Sequence, residues 1–156
     1  MTVTVRVVLP AVACLAILSC GRPEDPARVE LRARLKQDAR LHDEELKRFV
    51  DEVGRSVEGK TFRIKEGAAT RELDEAQRAV TFGMLTSPAG IFDQGLRVEG
   101  GASCRLLNAP GEPLDTEIEA TRVLCVDVET LLPSRFEFFY AVPGFGDYAF
   151  ELVEGR

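Results

Sequence analysis

The cysteines and the single histidine are the side chains of this sequence that are best suited to chemistry. The chain of 156 residues has four cysteines and one histidine, His42. A thiol can act as a nucleophile, hold a metal or form a disulfide, and an imidazole can act as a base or a metal ligand. Ser–His or Cys–His catalysis would have to use His42, and no second histidine is present to complete a common zinc site.

His42 is predicted to be a structural residue. It falls within the apolar stripe of a predicted helix, where we expect a half-buried imidazole bonded to a neighbouring carboxylate or carbonyl. A metal shared with Asp43 is disfavoured because consecutive residues point to different sides of a helix.

Two pairs of carboxylates have a spacing that acid–base catalysis could use. Asp127 with Glu129, and Glu117 with Glu119, would share the outward face of an alternating strand. The chain has 26 acidic and 20 basic side chains, so solvated surface charge is the favoured interpretation. The sequence therefore predicts a protein that is not an enzyme and uses no cofactor or metal.

Cys20 follows an apolar segment at the start of the chain. Residues 7–18 are apolar apart from Pro10, and the run is too short for a membrane-spanning helix, which needs about 20 residues. It suits the centre of a secretory signal with a small residue, Ser19, at the cleavage point. We therefore predict a signal peptide over residues 1–19, a tether over 20–26 and a single domain over 27–156.

The segment Ile17-Leu18-Ser19-Cys20 resembles the lipobox of bacterial lipoproteins. In that family the cysteine thiol receives a diacylglycerol, the leader is removed, and the new amino terminus is acylated with a fatty acid such as palmitate. The resemblance implies that Cys20 is lipidated and that the membrane is a partner through this lipid. The alternative is an ordinary signal peptide with a coincidental cysteine. By the family's sorting rule, Gly21 in place of Asp implies the outer membrane, facing the periplasm or the cell surface.

The body that follows the leader is acidic. The whole chain carries a net charge of −6, and the predicted leader contains only one charged side chain, the basic Arg6. A surface of this sign is unsuited to nucleic acid or anionic lipid headgroups. The expected partners are therefore another envelope protein or a lipid.

The predicted domain contains two cysteines, Cys104 and Cys125, and an envelope location outside the cytosol permits a disulfide between them. Strand parity argues against a bond, because Cys125 is out of phase with the apolar Leu124 whereas Cys104 is in phase with Leu106. A bulge could reset that phase. We favour the disulfide, with two small buried apolar side chains as the alternative.

The N-terminal part of the domain is predicted to be one long helix. A stripe of apolar residues with helical spacing runs from Ala27 to about Val53, and Gly54 is a natural stop. The stripe consists of Leu31, Leu35, Ala39, His42, Leu46, Phe49, Val50 and Val53. An apolar sheet face is its expected partner.

The middle of the chain is predicted to form a strand, then a helix. Residues 60–66 alternate as a strand, and residues 70–85 favour a second, shorter helix capped by Thr70. Part of that helix, residues 80–82, is equally suited to a strand. Residues 89–95 are expected to be a loop or a single turn.

The C-terminal third is predicted to be β-structure. The pair Gly100-Gly101 is expected to form a bulge or bend, and three alternating strands with short turns then make an antiparallel meander. The expected fold is α+β, with the long helix and the shorter helix packed on an antiparallel sheet of about five strands.

Residues 123–138, with sequence VLCVDVETLLPSRFEF, resemble a hairpin of the LolA/LolB and LppX/LprG-like bacterial lipoprotein carriers. The resemblance covers about residues 122–153 and implies a curved antiparallel sheet that wraps over a helix and holds lipid chains. A purely structural role explains the motif as well, because Asp127 and Thr130 can bond the turn and Pro133 pre-sets the next strand. A helix-on-sheet fold like that of the cystatins or of nuclear transport factor 2 is the alternative architecture.

The sequence thus predicts a non-enzymatic envelope lipoprotein that binds another envelope protein or serves in its assembly. The alternative is a carrier of a lipid or small apolar ligand held between helix and sheet. The predicted contact or pocket residues are Phe136, Phe138, Tyr140, Phe145 and Phe150. Phe145 could also form an exposed apolar lip with Ile91 and Phe92.

Overall fold

The computed structural model describes residues 24–99, 101–111, 119–142 and 146–155, which form three α-helices and seven β-strands. The helices are α1 (Pro26–Leu35), α2 (Asp43–Val57) and α3 (Glu75–Thr86). The strands are β1 (Phe62–Glu66), β2 (Ala69–Glu72), β3 (Phe92–Glu99), β4 (Ala102–Gly111), β5 (Ala120–Asp127), β6 (Pro133–Tyr140) and β7 (Tyr148–Glu154). The predictions for Cys20, Phe145 and Glu117 concern positions outside the described residues.

The strands form one antiparallel sheet in the order β2-β1-β7-β6-β5-β4-β3. Apolar residues from all three helices share one core with the inward side chains of the strands, so the helices cover one face. The predicted α+β class and the meander of β5, β6 and β7 are therefore confirmed. The expected number of about five strands was too low, because β2 was not recognised and β3 and β4 were taken as one interrupted segment.

A turn at Gly101 explains part of the error in the number of strands. Glu99 pairs with Ala102, so the chain reverses between β3 and β4 where a bulge or bend was expected. Gly101 has a φ of 83°, a conformation that glycine adopts without the steric cost that a side chain would add. β3 is therefore a separate strand, and it lies at one edge of the sheet.

The prediction of one helix from Ala27 to Val53 was wrong, because the chain leaves the helix after Leu35 and begins a new one at Asp43. His42 is the extended residue that precedes α2, and three acidic residues follow it in the first turn, where the helix dipole favours negative charge. Apolar spacing continues across the break, which is why periodicity alone did not reveal it. Gly54 does not end α2, which runs on to Val57.

A buried arginine fixes the chain between α1 and α2. Arg105, on the inward face of β4, is fully buried, and its guanidinium donates to the carbonyl oxygens of Leu35 (2.9 Å), Gln37 (2.7 Å) and Ala39. It also donates to both carboxylate oxygens of Asp93, at 3.0 and 2.6 Å. The first of these carbonyls is left without a helical partner by the end of α1, and the other two belong to the segment that follows the helix.

Asp93 completes the arrangement from β3. Its carboxylate also accepts the amide of Leu41 at 2.8 Å and that of Gly95 at 3.0 Å. Burial alone would raise the pKa of Asp93, but the hydrogen bonds from Arg105 and the two amides outweigh it and hold the pKa below its ordinary value. The segment joining α1 to α2 is thus tied to two strands of the sheet.

The turn between β5 and β6 has the predicted bonding. One carboxylate oxygen of Asp127 accepts the amide of Glu129 (3.1 Å) and both the amide (2.7 Å) and the hydroxyl (2.8 Å) of Thr130. Pro133 then begins β6. The structural explanation of this motif is therefore confirmed.

Cys104 and Cys125 are joined by a disulfide, with their Cα atoms 5.5 Å apart. They lie on the face of the sheet opposite the helices, in a small buried cluster with Leu106 and Val123. Leu106 was expected to face the helices, but Leu107 is the residue in the helix-side core. Both cysteines therefore share one face.

We expect Arg105→Met to lower the free energy of unfolding by about 3–5 kcal/mol, because it leaves the Asp93 carboxylate buried without its cation. Denaturant unfolding followed by circular dichroism measures the change. Lys65→Met is the matched control, since it breaks an exposed ion pair with Glu151 and should cost about 1 kcal/mol or less. Equal losses in the two variants would contradict the proposed role of Arg105.

We expect the disulfide, which spans 21 residues of sequence, to contribute about 3 kcal/mol to the free energy of unfolding. Dithiothreitol should lower the unfolding midpoint of the wild-type protein and leave that of the Cys104→Ala/Cys125→Ala double variant unchanged. A wild-type midpoint that is insensitive to dithiothreitol would show that the bond adds no stability.

Candidate functional site

An open groove lies between α3 and the inward face of the sheet. Its volume is about 700 Å³, within the range of 300–1,000 Å³ that is typical of small-molecule sites. We call it the α3 groove. It is lined by Asp74, Ala76, Gln77, Ala79, Val80, Gly83, Ser87, Ala89, Pro110, Gly111, Arg122, Phe138, Tyr140 and Tyr148.

Small residues on α3 make space for the groove. Ala76, Ala79 and Gly83 line it, and a Cβ atom added at Gly83 would meet no atom closer than 3.8 Å. The helix is held from its other side, where the Phe82 ring contacts the Phe62 ring at a centroid distance of 5.2 Å and Met84 is fully buried. The groove therefore exists because α3 presents short side chains to this part of the sheet.

The start of α3 was predicted at Thr70 and lies at Glu75. Thr70 belongs to β2, where it pairs with Lys65. Asp74 caps the helix instead, its carboxylate accepting the amide of Gln77 at 2.7 Å. The carboxylate at this end of the groove is therefore engaged with the backbone of α3.

Aromatic rings of β6 and β7 form the opposite wall. The Phe138 and Tyr148 rings are stacked with centroids 5.2 Å apart and an interplanar angle of 2°, and Tyr140 meets Phe138 edge-on at 5.1 Å. Phe138 is buried, whereas 41% of Tyr148 is exposed. This wall combines apolar area with the two tyrosine hydroxyls.

The Tyr148 hydroxyl lies in a partly desolvated and negatively charged environment. Burial raises its pKa, and the nearby Tyr140 and Asp74 raise it further. The phenol therefore remains protonated at neutral pH and can donate a hydrogen bond to a group in the groove.

Arg122 is the cation of the groove. It lies on β5 between Ala109 of β4 and Phe138 of β6, and its side chain is half-buried. Its Nε donates to the carbonyl oxygen of Pro110 at 2.9 Å, and an Nη atom lies beside Gly83. Over the part of the chain that the structure describes, no carboxylate is recorded within ion-pair distance of Arg122.

The predicted pocket residues divide between core and groove. Phe138 and Tyr140 line the α3 groove, but Phe136 is fully buried and Phe150 is a partly buried neighbour of the core. Phe92 is 49% exposed on the opposite face, where it lines another depression with Phe139. Phe145, the third residue of the predicted apolar lip, lies outside the described residues.

Arg122, Tyr148 and the small residues of α3 were not predicted to line a groove. The sequence did contain a pattern that could have identified Arg122. Arg122 is in phase with Ala120, Leu124 and Val126, so strand alternation alone puts a cation on the inward face of β5.

His42 does not occupy the predicted environment. The side chain is exposed, and its backbone amide donates to a carboxylate oxygen of Glu45 at 3.0 Å. The prediction of a half-buried histidine was wrong because the residue precedes α2 and so lies outside the helical stripe.

Asp127 and Glu129 do not share a strand face. β5 ends at Asp127, so Glu129 lies in the turn beyond it, where it forms an ion pair with Lys36 at 2.6 Å. Glu119 precedes β5, and its proposed partner Glu117 is not among the described residues. In the ranges that the structure covers, no group of three or more His, Cys, Asp or Glu residues is placed to hold a metal ion.

No family model matches this chain, and no curated protein and no solved structure is significantly similar to it. Among the described helices, none is long and apolar enough to cross a membrane.

Proposed function

We propose that this protein is a non-enzymatic lipoprotein of the bacterial cell envelope that binds a small ligand with an apolar body. The observation that carries the proposal is the α3 groove, an open cleft whose walls are short side chains on α3 and the rings of Phe138, Tyr140 and Tyr148. Concave sites of this volume with mostly apolar walls and a few polar groups are typical of ligand binding.

The architecture favours binding of a ligand over a chemical reaction. In the described residues the polar side chains that line the groove are two phenols, a guanidinium, the Gln77 amide, the Ser87 hydroxyl at one end of α3 and the Asp74 carboxylate that caps its other end. The arrangement supplies hydrogen-bond donors and apolar surface, but no nucleophile paired with a base. It therefore suits the carrier alternative better than an acid–base enzyme.

Anchoring to the envelope rests on the lipobox resemblance at Ile17-Leu18-Ser19-Cys20. Acylation at Cys20 supplies the two membrane signals that stable attachment requires. The domain would then work close to a lipid surface, with the short segment before α1 as its tether.

We expect Cys20→Ser to abolish incorporation of an alkyne-labelled palmitate in a bacterial host that processes lipoproteins. Protein gel fluorescence after click labelling measures the modification. Cys14→Ser is the matched control, because that thiol belongs to the predicted leader and its loss should leave labelling unchanged. Equal labelling of the Cys20→Ser variant and the wild type would refute lipidation at this position.

We expect the α3 groove to be photolabelled by benzophenone, an uncharged apolar probe, when the lipidated protein is held in phosphatidylcholine nanodiscs. Ala79→Trp fills the groove from an exposed position on α3 and should reduce labelling at least tenfold. Labelled peptides are quantified by mass spectrometry, and only those that contain groove residues are scored.

Ala33→Trp is the control for this experiment, since Ala33 is an exposed alanine on α1, away from the groove. Circular dichroism must show that both variants fold. If groove peptides are not labelled in the wild type, or are labelled equally in the Ala79→Trp variant, the groove is not a binding site.

A further inference from the structure

We propose that Arg122 makes the α3 groove selective for carboxylates, so that its ligand is a small amphipathic molecule with one carboxylate on an apolar body. This inference rests on the proposed function, because it names the class of ligand for the same groove. It follows from the position of one cation, the acceptors around it, and the charge at the other end of the groove.

The first step is the unusual position of Arg122. It lies on the inward face of β5, in phase with the buried Ala120 and Leu124, where alternation normally places an apolar side chain. Removing a guanidinium from water is costly unless its donors find partners. An inward-facing arginine in a sheet therefore needs hydrogen-bond acceptors for its donors.

The second step is a comparison with Arg105, which occupies the same face one strand away. Arg105 meets a carboxylate and three carbonyl oxygens. Across the described residues, the acceptor recorded for Arg122 is the carbonyl oxygen of Pro110, which takes Nε. A guanidinium has five donors in a planar fork that matches the geometry of a carboxylate. The Nη donors beside Gly83 can therefore donate hydrogen bonds to the carboxylate of a ligand that lies in the groove.

The third step is the polarity of the groove. Arg122 lies beside Gly83 in the second half of α3, whereas Asp74 caps the beginning of the helix and acts on the Tyr148 hydroxyl. A ligand carboxylate would be repelled by Asp74 and attracted by Arg122. We therefore place the carboxylate beside Gly83 and the apolar body along Ala79 towards Tyr148.

The fourth step concerns the body of the ligand. The small residues of α3 and the rings of Phe138 and Tyr148 offer apolar surface that suits an acyl chain or an aromatic body. The exposed part of the Tyr148 ring can stack on an aromatic ligand or meet it edge-on. The shared chemistry is the carboxylate, and the two bodies are distinguished by separate probes.

The test is photolabelling of the lipidated protein in phosphatidylcholine nanodiscs with matched acid and alcohol probes. A diazirine-bearing dodecanoate and the corresponding dodecanol represent the acyl body, and 4-benzoylbenzoate and 4-(hydroxymethyl)benzophenone represent the aromatic body. The concentration that half-saturates labelling of groove peptides is measured for each probe by mass spectrometry.

In the wild type, we expect the acid of at least one pair to half-saturate labelling at a concentration about 10- to 100-fold lower than its alcohol. Arg122→Gln should remove this preference, and Arg122→Lys should keep part of it because a cation remains. Arg78→Gln is the matched control, since it removes an exposed arginine of α3 that does not line the groove. Unfolding midpoints are measured for all variants.

Each outcome decides between the two proposals. Equal labelling by acid and alcohol in the wild type, with Ala79→Trp still blocking both, overturns carboxylate selectivity and leaves the groove as an apolar site. If none of the four probes labels groove peptides, both proposals are refuted. If Arg122→Gln lowers the unfolding midpoint but keeps the acid preference, Arg122 supports α3 and does not select the ligand.

Discussion

The Arg105 guanidinium and the Asp93 carboxylate hold together parts of the chain that local sequence preferences would leave separate. Arg105 bonds the carbonyls of residues 35, 37 and 39, and Asp93 bonds the amide of Leu41. The backbone between α1 and α2 would otherwise need water or a helical partner for these groups. With them satisfied from the sheet, two helices can pack on the sheet where one straight helix was expected.

This constraint also shapes the rest of the helical layer. Because α2 starts afresh at Asp43, its Phe49, Val50 and Val53 enter the same core as the inward residues of the strands. α2 contacts α3, which packs through Phe82 and Met84 and turns its short residues towards β6 and β7. The groove thus forms because α3 packs its large side chains into the core and turns its small ones towards the groove, and not because the core is poorly packed.

Local patterns predicted much of this fold, and the failures share a physical cause. Alternation identified β5, β6 and β7, and the Asp127 and Thr130 side chains bond their turn as expected. Periodicity could not reveal the break after Leu35, because the carbonyls there are satisfied by an arginine 70 residues away in sequence. The candidate site was only partly anticipated, since Phe138 and Tyr140 were recognised as pocket residues whereas the cation beside them was not.

The two inward arginines of the sheet have different surroundings. Arg105 and Arg122 were not recognised as inward residues from the apolar pattern of β4 and β5, although both lie in phase with core leucines. Sequences that break a local rule must compensate elsewhere, and such breaks concentrate at functional or strained sites. Arg105 is compensated within the chain by Asp93 and is fully buried, so its exception to the pattern is structural. Arg122 lies half-buried in an open groove, and its Nε donates to the Pro110 carbonyl. Acceptors for its Nη donors can therefore come from outside the chain, which is the basis of the carboxylate selectivity that we propose.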